Sequence, residues 1–535
     1  MLLFCRALFL VVIYNNHFTK PALDYSIEPS ADAMEQVRYD YSMKNIPIPS
    51  EQEFIIELIS SVEKFIKNLK WRSHHYLNPA QQTANKKTFG FNSTCPPPKV
   101  DELDNLQNML YDLIINIKFR KHSSQFQNKL KDDIKEIVKE KRMFIPADKT
   151  TNFYKVTKEK HTELLEKSIN KEYKKADGNV VKDINKDDKK IATELDLEDR
   201  IYSTSERQCF VTLKDHKTNF QNSPSCRLLN PTKTEIGRIS KQILEKIVAT
   251  VRERTKFNQW KNTASVIDWF KNIVNKKRFS FIVFDICDFY PSISEELLNA
   301  ALDFAKDFIE ISDEDRKIII QARKSLLISK ETQWIKKGNS IFDVGQGSFD
   351  GAEIAEIVGL FLLSKLQHLN LDLGLYRDDG LGICSQRPRQ VEKIKKEMCR
   401  IFQTFNLKIT IDVNHKVVNF LDITLDLDSE LYKPYMKPND TPIYVNKHSN
   451  HPPSIIQNLP AGINMRLSNN SANEEVFTNA LPPYRDALKK SGYDFDFKYE
   501  PATQNGNRKR TEAAKSCGST HHIQSMFQLI LGPNF

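Results

Sequence analysis

The stretch YRDDGLGIC at 376–384 sets two adjacent carboxylates, Asp378 and Asp379, between apolar runs. Like charges this close repel, and one holds its proton unless a cation stands between them. A third acid, Asp285, comes near the end of another apolar run, RFSFIVFDI at 278–286. If the two runs form neighbouring strands, Asp285 and Asp378 can meet. Such carboxylates suit hard divalent cations, magnesium first and manganese as an alternative, because water and phosphate oxygens complete the shell. Two ions roughly 4 Å apart would activate a hydroxyl and steady a leaving phosphate oxygen, which is the chemistry of nucleotidyl transfer. The residues alone leave a blander reading open, since acidic hairpin tips are also common solvated turns.

The elements that must position these acids are legible in outline. The run at 278–286 is rich in Phe, Ile and Val and reads as a strand. Around the acidic pair, two apolar arms flank Asp-Gly, the dipeptide suited to a two-residue hairpin, so Asp378 and Asp379 are expected at or beside its tip. Between them, PSISEELLNAALDFAKDF predicts a helix starting near Ser294, with Glu295 and Glu296 in its first turn. AEIAEIVGLFLLSKLQHL at 352–369 predicts a buried helix. Upstream, apolar residues recur at three and four from EQEFIIELISSVEKFIKNLKW at 51–71, and after a proline-rich break a second helix opens at Val100. Pro146 and Asp148 mark a turn. Short apolar runs alternating with helices beyond residue 200 predict an α+β arrangement.

Composition narrows the class. A chain of 535 residues with 40% hydrophobic residues has ample core for several domains. Its formal charge of +10 fits a polyanionic partner and equally an ordinary solvated surface. The lysines of 118–190 are interleaved with acids and read first as exposed helix surface. Eight cysteines show no CxxC pair, which argues against a zinc module or disulfide framework and for a reducing compartment. The start, MLLFCRALFLVVIYNNHF, has an apolar run like a signal core, but Arg6 interrupts it and nothing later is long and apolar enough to span a bilayer. No stable membrane association is expected.

Several segments, taken in order, carry a family resemblance. FDICDFYPSI (284–293), GQGSFDGAE (345–353) and YRDD (376–379) resemble the A, B and C motifs of reverse transcriptases. TLKDHKTNFQNSPSCRLLNPTK (212–233) is similar to their fingers motifs, and FIPADKTTNFYKV (144–156) resembles a stretch found ahead of the fingers in Penelope-like retroelements. NFLDITLDL (419–427) and YKPYMKPNDTPIYVNKHSNHPPSIIQNLP (432–460) are similar to the segments that follow the palm in that lineage. The likeness covers about 140–510.

The resemblance implies a right-hand polymerase with fingers, a palm built on an antiparallel sheet and a helical thumb, preceded by a helical N-terminal region. Expected divisions are an irregular leader (1–50), the helical region (51–139), fingers and palm (140–425), a thumb-like region (426–510) and a divergent tail (511–535). The implied activity is RNA-directed DNA synthesis by a retrotransposon enzyme, with an RNA template, a DNA primer and deoxynucleoside triphosphates as partners and two magnesium ions as cofactors. Asp285, Asp378 and Asp379 match the catalytic, metal-binding aspartates, and Ile286 would lend its carbonyl to a metal. Asp288 would lie under the triphosphate, and Lys214, Lys217 and Arg227 would grip it. Tyr290 matches the bulky residue that excludes a 2′-hydroxyl, although alone it reads as a core tyrosine. Gln346 and Gly347 match the small, flexible lead into the helix against template and base. Lys408 stands where a lysine would protonate departing pyrophosphate.

The sequence also departs from this pattern. Members of the family often read Arg-Pro-Ile where this chain has Arg-Leu-Leu at 227–229, and the tail after NRKR (507–510) looks unrelated. No endonuclease segment is visible. A decayed or domesticated protein that binds nucleic acid without polymerising is therefore the alternative, ahead of a telomerase-like or intron-maturation protein and of an acidic-tipped binding protein without nucleotide chemistry. Retroelement habit points to a nuclear or cytoplasmic location; oligomeric state is open.

Overall fold

The computed structural model describes residues 34–37 and 44–501, except 90–92, 120–123, 141, 201–206, 218, 221, 232, 339–340 and 438–439. The apolar start, the NRKR cluster and the divergent tail lie outside the described residues.

The strand expected at 278–286 runs from Ser280 to Ile286 inside a five-stranded sheet. Its neighbours are Ile409–His415 on one side and Asp379–Cys384 on the other, followed by Asp372–Tyr376 and the short Asn258–Gln259. All pairings are antiparallel except the last. Side chains alternate between the two faces of a strand. Ile282, Phe284 and Ile286 therefore enter the largest core, while Phe281, together with Leu381 and Ile383, enters a second core with Trp260, Phe270 and Phe420. A sheet covered on both faces explains why its strands read as nearly continuous apolar runs.

The helix predicted at 352–369 spans Gly351–Leu366 and continues as a 3-10 turn, Gln367–Leu369. It is buried almost all round, as its sequence requires, and packs under the sheet beside helices Glu235–Thr255 and Glu295–Lys306. Each large aliphatic side chain buried this way contributes about 1.5–3 kcal/mol. Ser294 caps the Glu295–Lys306 helix by accepting from the Leu297 N–H at 3.2 Å.

Ahead of this unit, Met143–Pro146 and Phe153–Val156 form an antiparallel pair, and the turn expected at Pro146 and Asp148 joins them. Phe210–Leu213 pairs with Cys226–Leu229. The two hairpins share a core containing Ile145, Tyr154, Val211 and Leu213. Farther upstream, Glu51–Leu77 starts on a reciprocal Ser50–Glu53 capping box and packs against Asp101–Ile115 through Leu58, Val62, Ile66, Leu110 and Ile114. After the sheet, three short strands lead into helices Pro453–Asn469, Glu474–Ala480 and Pro482–Lys490. The class is α+β with a helical N-terminal region, as expected. Among the described residues no helix is long and apolar enough to cross a membrane.

Candidate active site

Asp285 and Asp379 are direct cross-strand partners. Directly opposed residues on antiparallel strands have side chains on one face, with Cβ atoms about 4.5–5.5 Å apart. The face is that of Phe281, Leu381 and Ile383, by the alternation along both strands. Asp285 is the one exposed residue of its strand, so the acids stand where the apolar cover ends. Asp378 joins them through the main chain: its carbonyl accepts the Ile286 N–H at 3.0 Å.

The hairpin differs from its expected form. Tyr376 pairs with Asp379, so the turn residues are Arg377 and Asp378, and Asp-Gly begins the second strand. Arg377 takes the left-handed conformation, φ 57°. Gly380 serves a different purpose from the turn: a Cβ there would stand 2.1 Å from the Phe284 ring. Glycine lets Phe284 lie flat under the hairpin and fill the core behind the acids.

Asp379 feels the charges of both other acids. Burial raises Asp379 to about 6, helped by the negative charges of Asp378 and Asp285. Asp285 is raised too, by partial burial and then by Asp378. Among the described residues no three acidic, histidine or cysteine side chains draw into a closed metal cage. Open carboxylates on a strand end suit an ion that keeps water and substrate oxygens as ligands, as magnesium does. The raised Asp379 also fits a group whose proton a cation would displace. Ile286 is buried, and its N–H is taken by Asp378.

The opposing cations include two that the site assignments from sequence omitted. Lys149 and Lys217 act on Asp285, and Lys149 and Lys437 on Asp379. Lys149 lies in FIPADKT and Lys437 in YKPYMKPND, segments whose resemblance was visible but whose lysines carried no spacing signal. The tertiary structure builds the Lys149 loop carefully. Asp148 N–H donates to the Leu213 carbonyl at 2.8 Å, and Asp215 accepts from Thr150 Oγ1 at 2.7 Å, Asn152 Nδ2 at 2.8 Å and Tyr154 Oη at 3.2 Å.

Lys214, Lys217 and Arg227 lie on and beside the hairpin that supports this loop. Arg227 sits opposite Thr212 and its guanidinium is 3.3 Å from Asp148 Oδ2. Lys214 is pushed below its ordinary value by burial, with Asp288 opposing. Asp288 is in the left-handed conformation, φ 45°, and its carboxylate is 3.6 Å from Lys171 Nζ. Tyr290 lies between the hairpin and the buried helix: its Cε1 is 3.7 Å from where a Gly351 Cβ would stand, and Arg377 and Asp378 act on its hydroxyl. Lys408 contributes its carbonyl to Cys287 N–H at 2.8 Å, while its side chain is exposed.

Gln346 and Gly347 lie against Asn230. The Gln346 carbonyl accepts the Asn230 N–H at 2.9 Å. Gly347 has φ +109°, and a Cβ would come 2.6 Å from the Asn230 carbonyl oxygen. Only glycine allows this approach without strain.

No protein-family profile and no curated protein matches the sequence. Similar solved structures exist. A telomerase from Candida albicans, solved with a fragment of telomeric RNA, superposes with a TM-score of 0.44 at 10% identity, over 93% of this chain and 88% of that one. A C-terminally truncated apo telomerase from Candida tropicalis gives 0.41 at 12% identity, over 72% and 90%. The RNA-dependent RNA polymerase of a human picobirnavirus gives 0.35 at 10% identity, over 62% and 72%.

Proposed function

We propose that this chain is a reverse transcriptase of a retroelement, of the Penelope-like lineage that its motifs resemble. It would extend a DNA primer on an RNA template with deoxynucleoside triphosphates. The observation that carries this reading is the register that sets Asp379 opposite Asp285, with Asp378 bonded to the next residue of the same strand.

Asp285, Asp378 and Asp379 would hold two divalent ions, with the Ile286 carbonyl as a further ligand; bound there, the ions supply a nucleophile of lowered pKa and stabilise charge on phosphate oxygens. The chain's residues do the positioning. Arg227 can fork two phosphate oxygens in place of Asp148, whereas Lys214, Lys217 and Lys149 act as point charges. Asp288, beside Lys171 and Lys214, marks the path of the triphosphate. Tyr290, wedged between hairpin and helix, blocks the space that a 2′-hydroxyl needs. Lys408 is the proposed proton donor to pyrophosphate, from the strand edge. Charge stabilisation and orientation of this kind account for most of the acceleration in phosphoryl-transfer enzymes.

The test is primer extension on poly-rA with dTTP and magnesium or manganese. The expected result is extension by the native protein and none by Asp378→Asn/Asp379→Asn, with equal folding by circular dichroism. A folded native protein that extends no primer on any template with either metal would overturn the reading.

A further inference from the structure

A second polar cluster lies behind the site, and neither the metal chemistry nor the phosphate contacts use it. Asp350 is fully buried, and Arg323 is 1% exposed. The Arg323 guanidinium pairs with Asp350 and also donates to Ser348 Oγ at 3.3 Å. The second oxygen of Asp350 accepts from Ser240 Oγ at 2.6 Å, and Ser240 is itself buried in the Glu235–Thr255 helix. The Arg323 carbonyl accepts the Asp343 N–H at 2.9 Å, and the buried Asp343 carboxylate accepts from Tyr173 Oη at 2.8 Å. Thus the loop 343–350 is tied at both ends to buried side chains from separate elements, and at its middle to Asn230, which follows the Arg227 strand.

Removing two charges from water costs several kcal/mol per ion, and a hydrophobic pair of similar volume often does as well or better for stability. Stability is therefore a weak explanation for an ion pair at this depth. What the pair does supply is a single direction: Asp350 precedes the first residue of the buried helix, and Arg323 reaches both it and Ser348. The only exposed member of the loop 342–350 is Gly347, held at positive φ against Asn230.

We infer that Arg323, Asp350 and Ser240 are positioning residues that hold Gln346 and Gly347 in the conformation that receives the incoming nucleotide. The inference rests on the polymerase reading. Loosening the cluster leaves Asp285, Asp378 and Asp379 in place on their sheet, so it weakens nucleotide capture and base discrimination more than the chemical step.

Two variants test this, one mild and one severe. Ser240→Ala removes one donor to Asp350, and Arg323→Lys keeps the charge but loses the fork. Hydrogen exchange of 343–350 is read first, since it needs no activity: both variants are expected to exchange faster there, with 280–286 and 379–384 unchanged. In single-nucleotide extension, KM for the matched deoxynucleotide is expected to rise about threefold in Ser240→Ala and about thirtyfold in Arg323→Lys, with kcat within about threefold of native. Misinsertion relative to correct insertion rises in the same order. Unchanged exchange in folded Ser240→Ala, or a fall in kcat at constant KM, overturns the inference while an active native enzyme still upholds the polymerase reading. An inactive native protein overturns that reading and the nucleotide role together, whatever the exchange result.

Discussion

The hairpin at 372–384 and the loop at 343–350, which leads into the helix beside Tyr290, are built on opposite plans. The hairpin is held by a main-chain ladder from Asp372↔Ile383 to Tyr376↔Asp379, and its acids are left available. The loop has no ladder: the buried Arg323 and Asp350 side chains pair at its end, and the Asn230 N–H holds the Gln346 carbonyl at its middle. A ladder is indifferent to side-chain identity, whereas a side-chain cage depends on it. Changing an acid on the hairpin should remove the chemical step and spare the fold; changing a polar group of the cage should loosen the loop and weaken nucleotide capture while sparing the chemical step.

The strongest test of this contrast is Asp379→Asn. Primer extension should fall at least about a thousandfold, while the melting temperature holds or rises because a repelling charge is gone. A lower melting temperature would break the comparison. Next in size is Arg323→Ala, which strands Asp350 without its partner and should destabilise by about 3–5 kcal/mol in urea unfolding.

A pH series sharpens the same point. Folded Asp379 binds its proton more tightly than the unfolded chain, with a value raised from 3.8 to about 6. Its effect on stability is therefore absent below about pH 4, grows unfavourable as pH rises to about 6, and stays so above. The native protein should lose about 2–3 kcal/mol relative to Asp379→Asn across that window in metal-free buffer. Magnesium should reduce the loss, and identical pH profiles would contradict the raised value.

Gly380→Ala separates the ladder from what lies beneath it. The added methyl meets the Phe284 ring, and overpacking of this kind costs about 1–3 kcal/mol. Adding Phe284→Leu should recover part of it; no recovery would remove close packing as the reason for glycine. The smallest expected effect lies far from the site: Ser50→Ala should cost about 1 kcal/mol through the capping box and leave extension unchanged.

Much of the fold could be read locally. Richness in Phe, Ile and Val marked the strand at 280–286, a serine cap marked the helix start at Ser294, and continuous apolar character marked the buried helix at 351–366. The acids of the candidate site were legible because their residue types are unusual beside apolar runs. The cations were less so. Lys149 and Lys437 look like any surface lysine until Asp215 anchors one loop and the residues after the sheet bring the other near Asp379. Arg323 carried no signal, standing beside Lys324 in ordinary helix-flanking sequence, and Asp350, although inside GQGSFDGAE, gave no sign of a buried partner.

From its order of residues alone, this protein determined which stretches are strands and helices and which acids could bind cations, because those properties depend on spacing and on near neighbours. Tertiary structure alone decided that Asp285 faces Asp379, that the turn falls at Arg377 and Asp378, and that buried charges brace the neighbouring loop. Each of these depends on which distant segments share a sheet or a core, and that is set by packing across the whole chain.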